Sequence, residues 1–355
     1  MSSSWFRWIP AAAVPAVVAV GLVVSGASAA PPPPPASAEQ VLALVASHRA
    51  QQFSGDVEQT TDLGLPALPS AALGGSSGPS GSSGSSVGEA AAALDLLTTA
   101  HTGRVYADGP TRVRVQVMDQ LAQRDVIRNG STAWTWDSRG ARATRTTLPA
   151  AASTSPAPDA ALTPDALAQR FLALTGPSTT VTVGDPVTVA GHPAYTLVLT
   201  PRAPDTLVAS VRIAVEAHTG LPLAVDVHAK GQANPAFHLA FTSLDLRAPD
   251  PAVFAFTPPP GATVTERQPP AAPHRSATHA PTSRTSTPKG WDAVAVVPAA
   301  RVPADLRNSP LLAQLSTPVH GGRLLSSSLV NVLVTPDGRV IAGAVPASRL
   351  EAAAR

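Results

Sequence analysis

His218, His228 and His238 recur every ten residues. Imidazole is the commonest metal ligand, and a site needs three or four donors converging on one ion. No H-E-x-x-H accompanies these histidines. His218 falls in a turn and the other two on polar strand faces, so no metal is expected. Gly74–Gly78 reads G-G-S-S-G, a formal match to the nucleophile elbow G-x-S-x-G. That chemistry requires a strand before the serine and a helix after it, and here the surroundings are glycine and serine alone. The acids are dispersed: Asp108 and Asp119 flank one strand, Asp137 ends another, and Asp185 and Asp337 sit in turns. Cysteine is absent, which removes thiol nucleophiles, disulfides and thiolate metal sites. No glycine-rich phosphate loop occurs. The expectation is a protein that is not an enzyme and needs no cofactor.

The chain has 355 residues with 25 Lys+Arg against 23 Asp+Glu. Only Lys230 and Lys289 are lysines, and no basic block is interleaved with aromatics, so nucleic acid is not an expected partner. Residues 1–29 read as an export signal. Arg7 precedes the apolar run "AAAVPAVVAVGLVV", and Ala27-Ser28-Ala29 offers a cleavage site before Ala30. An uncleaved anchor with Trp5 and Trp8 at the interface is the alternative. Both place the remainder in the extracytoplasmic envelope. Without cysteine, no lipid can be attached to a mature N-terminal thiol.

Residues 30–37 form a proline-rich spacer. "SAEQVLALVASHRAQQ" then predicts a helix capped by Ser37, with Val41, Leu44, Val45 and His48 on one face. "TPDALAQRFLALTG" predicts a second, with Thr163 as cap, Pro164 at the first helical position, Gly176 as stop, and Leu167 and Phe171 in its stripe. "GEAAAALDLLTTA" is a weaker third. The rest alternates with period two, the pattern of half-buried strands. Val113, Val115 and Val117 share one side of theirs; so do Trp134 and Trp136, after a hairpin at Asn129-Gly130. Tyr195, Leu197 and Leu199 form a third set, Val211, Ile213 and Val215 a fourth, and Phe237, Leu239 and Phe241 a fifth. Residues 70–88 form a flexible Gly/Ser loop. Residues 267–290 are a basic, proline-rich linker expected to be disordered, and residues 291–355 form a small β-rich module turning at Pro336-Asp337-Gly338.

Roughly ten strands joined by hairpins make an antiparallel sheet. Two helices of about 15 residues span only ~22 Å each and cannot cover such a sheet if it stays flat. The expected fold is α+β: a curled antiparallel sheet, an unclosed β-barrel spanning 38–266, with helices over its opening. The five apolar sets named above would line it, and the helix residues Leu44, Val45, Leu167 and Phe171 would plug it. Such an interior is either a dry core or an apolar binding cavity.

The succession "SAEQVLALVASHRAQQFSGDVEQT", "RNGSTAWTWDS", "TPDALAQRFLAL" and "GHPAYTLVLTP…VRIAVEAHTGLPLAVDV" resembles the LolA/LolB/LppX-like, lipoprotein carrier-like superfamily, in its exported actinobacterial form, over roughly residues 38–260. The resemblance implies an unclosed barrel that holds acyl chains of lipids or lipoproteins. The related RseB/MucB sensors imply an alternative: contact with a membrane-bound regulatory protein, restraining an anti-sigma factor. The Gly/Ser loop and the C-terminal module depart from the basic carrier. Beside the first strand, Leu63, Leu65 and Leu68 of "LGLPALPS" form either an apolar flap at the opening or a solvated linker.

Overall fold

The computed structural model describes residues 31–48, 52–64, 99–119, 122–148, 163–267, 290–302 and 310–355. The residues read as an export signal, as a Gly/Ser loop and as a linker (up to Lys289, Arg267 excepted), most of the candidate third helix, Leu65 and Leu68 lie outside them. Among the described residues, thirteen strands form one sheet: β1 (Gln52–Thr61), β2 (His101–Asp108), β3 (Arg112–Asp119), β4 (Ala122–Asn129), β5 (Thr132–Asp137), β6 (Arg142–Thr147), β7 (Thr179–Val183), β8 (Val187–Val189), β9 (His192–Pro201), β10 (Val208–Glu216), β11 (Pro222–Ala229), β12 (Phe237–Asp245) and β13 (Thr263–Arg267). The spatial order is β13-β6-β5-β4-β3-β2-β1-β12-β11-β10-β9-β7, with β8 beside β9. The sheet curls without closing, leaving β13 and β7 as edges. Every pairing is antiparallel except β13 on β6. Arg267, expected in the linker, ends β13.

Two nine-residue helices pack on one side, here called the inner face: α1 (Ala38–Ala46) against β7 and β9, and α2 (Pro164–Leu172) against β11 and β12. Their ends obey capping chemistry. Ser37 Oγ accepts from the Gln40 amide and Gln40 Oε1 accepts from the Ser37 amide, a reciprocal box. Thr163 Oγ1 accepts from the Ala166 amide, with Pro164 following. α2 ends at Leu172 rather than at Gly176, because Thr175 turns back to donate its amide and its hydroxyl to the Leu172 carbonyl.

Two close approaches require glycine. A Cβ on Gly55 would stand 2.4 Å from the Ser243 carbonyl oxygen and 2.8 Å from the Phe241 ring. Its absence lets Phe241 lie over β1, edge-on to Phe53. Gly220, at φ +77°, lies in the β10–β11 turn under α1, where a Cβ would meet the Leu44 carbonyl oxygen at 2.4 Å. The Glu216 carboxylate, 1% exposed, holds that turn: it accepts from the His218 amide, the Thr219 amide and the Thr219 hydroxyl. Three donors offset the cost of burying its charge.

The C-terminal module is a five-stranded antiparallel sheet of β14 (Val294–Val297), β15 (Thr317–Val319), β16 (Gly322–Ser326), β17 (Asn331–Val334) and β18 (Val340–Gly343), ordered β14-β18-β17-β16-β15. It also carries α3 (Pro310–Leu315) and α4 (Ala347–Ala354). Leu324, Leu333, Ile341, Val345 and Leu350 form its own core. The β17–β18 hairpin turns at the expected Pro336-Asp337-Gly338.

Candidate ligand-binding face

Strand register decides which side chains share a face. Leu197 opposes Ile213, which opposes Val225, which opposes Leu239. Leu199 opposes Val211, and Tyr195 opposes Val215. Phe237 opposes Val227 across the β11–β12 pair. Phe241 opposes Val57, Val57 opposes Gly103, and Gly103 opposes Val117, which carries Val115 and Val113 along on the same side. Twelve of the fourteen expected lining residues therefore share the inner face, with α1 and α2. Leu197, Leu199, Val211, Ile213 and Val215 are completely buried there, together with Val41, Val45 and Ala168 of the helices. Leu44, Leu167 and Phe171 pack on the same cluster, as expected of plugging residues. Leu167 also reaches the neighbouring cluster of Phe53, Val105, Val115, Leu239 and Phe241, so α2 joins the two halves of the interior.

Trp134 and Trp136 are the exceptions. Trp134 opposes Ile127, and Ile127 opposes Arg114, whose neighbours Val113 and Val115 point inward. Both indoles therefore project from the outer face. There they meet Phe256, with ring centroids at 5.4 and 6.1 Å. Arg145 lies 5.9 Å over the Trp134 ring. Alternation had correctly paired the two tryptophans with each other. It carries no information on which side of the curl a strand turns its apolar set. On β4–β6 the inner positions are instead Arg124, Val126, Arg128, Thr135, Thr144 and Thr146.

The outer face of this same region holds a polar cluster that the sequence reading missed. Asp125 is 1% exposed. Its carboxylate accepts from Arg114 Nη2 at 2.5 Å, Gln123 Nε2 at 2.6 Å and Gln116 Nε2 at 3.4 Å. Arg114 Nη1 donates to the Val253 carbonyl in the 3-10 turn Pro251–Phe254, pinning that strap over β3 and β4. The available signal was an arginine and an acid on adjacent hairpin strands with matching register. Arg114 Nη2, Gln116 and Gln123 all donate to the resident Asp125 carboxylate, so the cluster is a structural tie.

The three histidines take different places. His218 is exposed in the turn, while His228 and His238 lie on the outer face of β11 and β12. His238 Nδ1 meets Asp226 Oδ1 at 2.5 Å, and this hydrogen bond raises the imidazole pKa above its ordinary value. Burial, aided by nearby Arg212, lowers that of His228. Among the described residues no three His, Asp or Glu converge as metal donors. At the seam between the halves, Arg104 Nε donates to Asp56 Oδ1 at 2.6 Å and Ser243 Oγ to Asp56 Oδ2 at 2.8 Å. The Arg104 bond holds the Asp56 carboxyl below its usual range.

The C-terminal module reaches into the inner face. Trp291, 4% exposed, belongs to the same cluster as Leu197 and Val211. Its ring stacks on Phe171 at 6.1 Å and 10°, and its Nε1 donates to Thr179 Oγ1 at 2.7 Å. The Ala344 carbonyl accepts from the Leu207 amide at 2.7 Å and from Thr206 Oγ1 at 3.0 Å. Ser328 donates its amide to the Leu63 carbonyl and its hydroxyl to that of Asp62. Leu63, expected either in a flap or in a solvated linker, is thus tied through its backbone to the module.

No protein-family profile matches the sequence, and no curated protein does either. Among solved structures, the MucA/MucB complex of Pseudomonas aeruginosa is 19% identical, with 89% of this chain and 96% of that chain covered and a TM-score of 0.42. An uncharacterized conserved protein of Thermus thermophilus is 12% identical over 65% of this chain and 99% of that chain, at a TM-score of 0.35. A LolA superfamily protein of Nitrosomonas europaea is 12% identical over 62% and 99%, at 0.25. The group named by the sequence resemblance thus recurs among these structures. At TM-scores below 0.5 they are likenesses alone.

Proposed function

We propose that this chain is an exported envelope protein that holds acyl chains of lipids or lipoproteins against the inner face of its curled sheet. One observation carries the reading. Twelve predicted lining residues from β3, β9, β10 and β12 fall on one face, which two short helices and one tryptophan from the second module help to cover. Acyl chains need such an apolar surface, because each methylene removed from water contributes about 0.8 kcal/mol. Strands of about ten residues run ~33 Å, comparable with an extended acyl chain. Leu197 and its neighbours are already buried against the helices, so a ligand enters by displacing a covering group.

Five tryptophans make the test direct, because they report on different places. With Trp5 and Trp8 replaced by phenylalanine, Trp291 reports on the inner face and Trp134 and Trp136 on the outer. A brominated fatty acid is expected to quench a tryptophan placed at Phe171 of the inner face in a W134F/W136F/W291F background and to leave Trp134 and Trp136 unquenched in W291F. Quenching of the outer pair alone, or of neither, sinks the reading.

The docked C-terminal module favours a second reading, an envelope sensor that contacts a membrane-bound regulatory protein. A module tied to the barrel by backbone hydrogen bonds at Leu207 and Leu63 provides a surface whose position a partner can alter. Native mass spectrometry of protein taken from its own envelope separates the two. Co-purified lipid supports the carrier, and a stoichiometric protein partner without lipid supports the sensor.

A further inference from the structure

We propose that the Trp291 seat is the acyl-chain entry site, and that the C-terminal module keeps it closed by supplying its own indole as the resident occupant. The inference rests on the acyl-binding reading and specifies how that site is controlled. Apart from Trp291 and the partly buried Leu329 and Ala344 of the module, the described residues that fill this cluster belong to the barrel and its own helices, whose removal would dismantle the fold. Trp291 is different. It is the one fully described, deeply buried member of that cluster contributed by the second module, three residues before β14. It occupies the space between Phe171 of α2 and Thr179 at the start of β7.

The seat has the chemistry of an amphipathic ligand site. Phe171 offers a flat apolar wall. Thr179 Oγ1 accepts from the indole N–H while donating to the Leu174 carbonyl at 2.8 Å. When the indole leaves, the hydroxyl keeps its own donor bond and presents a free acceptor, suited to the O–H or N–H at the polar end of an acyl chain. Elsewhere the described residues attach the module through the partly buried Leu329 and Ala344, which pack on the same cluster, through backbone and hydroxyl contacts at Leu207, Thr206, Leu63 and Asp62, and through an ion pair, Arg349–Asp205, whose side chains are 45% and 52% exposed. Exposed pairs of that kind add little to affinity. Undocking therefore empties one deeply buried apolar seat while α1 and α2 stay in place.

The test uses the full chain and, as probe, the primary amide of cis-parinaric acid, whose N–H can meet the Thr179 acceptor. Trp291→Ala is expected to bind the probe at least tenfold more tightly than the parent. Because that substitution also removes core packing, a second variant leaves the core intact. The chain has no cysteine, so Leu207→Cys with Ala344→Cys, whose backbones share a hydrogen bond, adds a reversible clamp. Oxidation is expected to abolish probe binding, and reduction to restore it. Equal binding by the oxidised and reduced clamp overturns the gate while leaving acyl binding in force. No binding by parent, Trp291→Ala and reduced clamp alike overturns the gate and the acyl reading together.

Discussion

The two ends of the large sheet solve the same burial problem in opposite directions. Across β9–β12 the branched aliphatics turn inward under α1 and α2, and the outer positions carry small or polar residues such as Arg212, Ala214, Ala224 and His238. Across β4–β6 the apolar set, Ile127, Trp134, Trp136 and Ala143, turns outward under the Phe254–Phe256 strap, and arginine and threonine line the inside. One end uses helices as its cover and the other uses a short strap of chain. The difference teaches that a curled sheet need not bury one face throughout. Each strand buries whichever side the rest of the chain arrives to cover.

The comparison breaks most visibly at the deepest positions. Leu197→Ala removes a completely buried side chain and is expected to cost about 3–4 kcal/mol, read as a shift in urea midpoint at unchanged slope. Trp136→Ala, from a half-buried ring at the other end, should cost distinctly less. If the two costs match, the outer cluster is as much a core as the inner one. Asp125→Ala leaves Arg114 without its carboxylate. Allowing for the 18% exposure of the Arg114 side chain, the loss is expected at about 2 kcal/mol. A smaller effect would show that the strap holds without this tie. Thr163→Ala removes the cap of α2 and should cost about 1 kcal/mol. Serine at the same position should recover most of it.

The smallest effect is the pH response of the outer face. The His238 pKa is raised in the folded protein, so its contribution is fully present below the ordinary value of 6.5 and is lost as pH rises through the higher folded value. The side chains of the pair are 37% and 28% exposed, which limits the effect to well under about 1 kcal/mol. Asp226→Asn should remove it. His228, whose pKa is lowered, acts in the opposite sense: stability falls as pH drops below 6.5 toward its folded value. Stability curves of His228→Asn and His238→Gln between pH 5 and 8, taken separately, should therefore tilt in opposite directions.

Much of the fold was legible because local rules agree with the final arrangement. Ser37, Thr163 and Pro164 cap as their types demand. Asn129-Gly130 turns β4 into β5, with Gly130 at φ +62°. Strand alternation correctly grouped Leu197 with Leu199 and Ile213 with Val215. The sidedness of Trp134 and Trp136 was not legible, because period two gives relative and not absolute orientation. The β7–β9 and β14–β18 pairings were readable as strands, but Trp291 was not readable as a core residue. Its partner Thr179 is 112 positions away, and no local pattern marks an indole for a cluster built by another module.

The seam between β1 and β12 carries a kinetic consequence. Asp56 and Ser243 stand 187 positions apart, and the β1–β12 pairing joins the run β1–β6 to the run β9–β12. A chain emerging from a ribosome or a translocation channel cannot complete that junction until nearly all of the barrel is available. Until then, β1 and β12 present raw edges of hydrogen-bonding groups. Long-range pairing of this kind folds in milliseconds to seconds rather than microseconds. The late-zipping junction is therefore the window in which holdases, or self-association through open strands, decide the fate of the newly made protein.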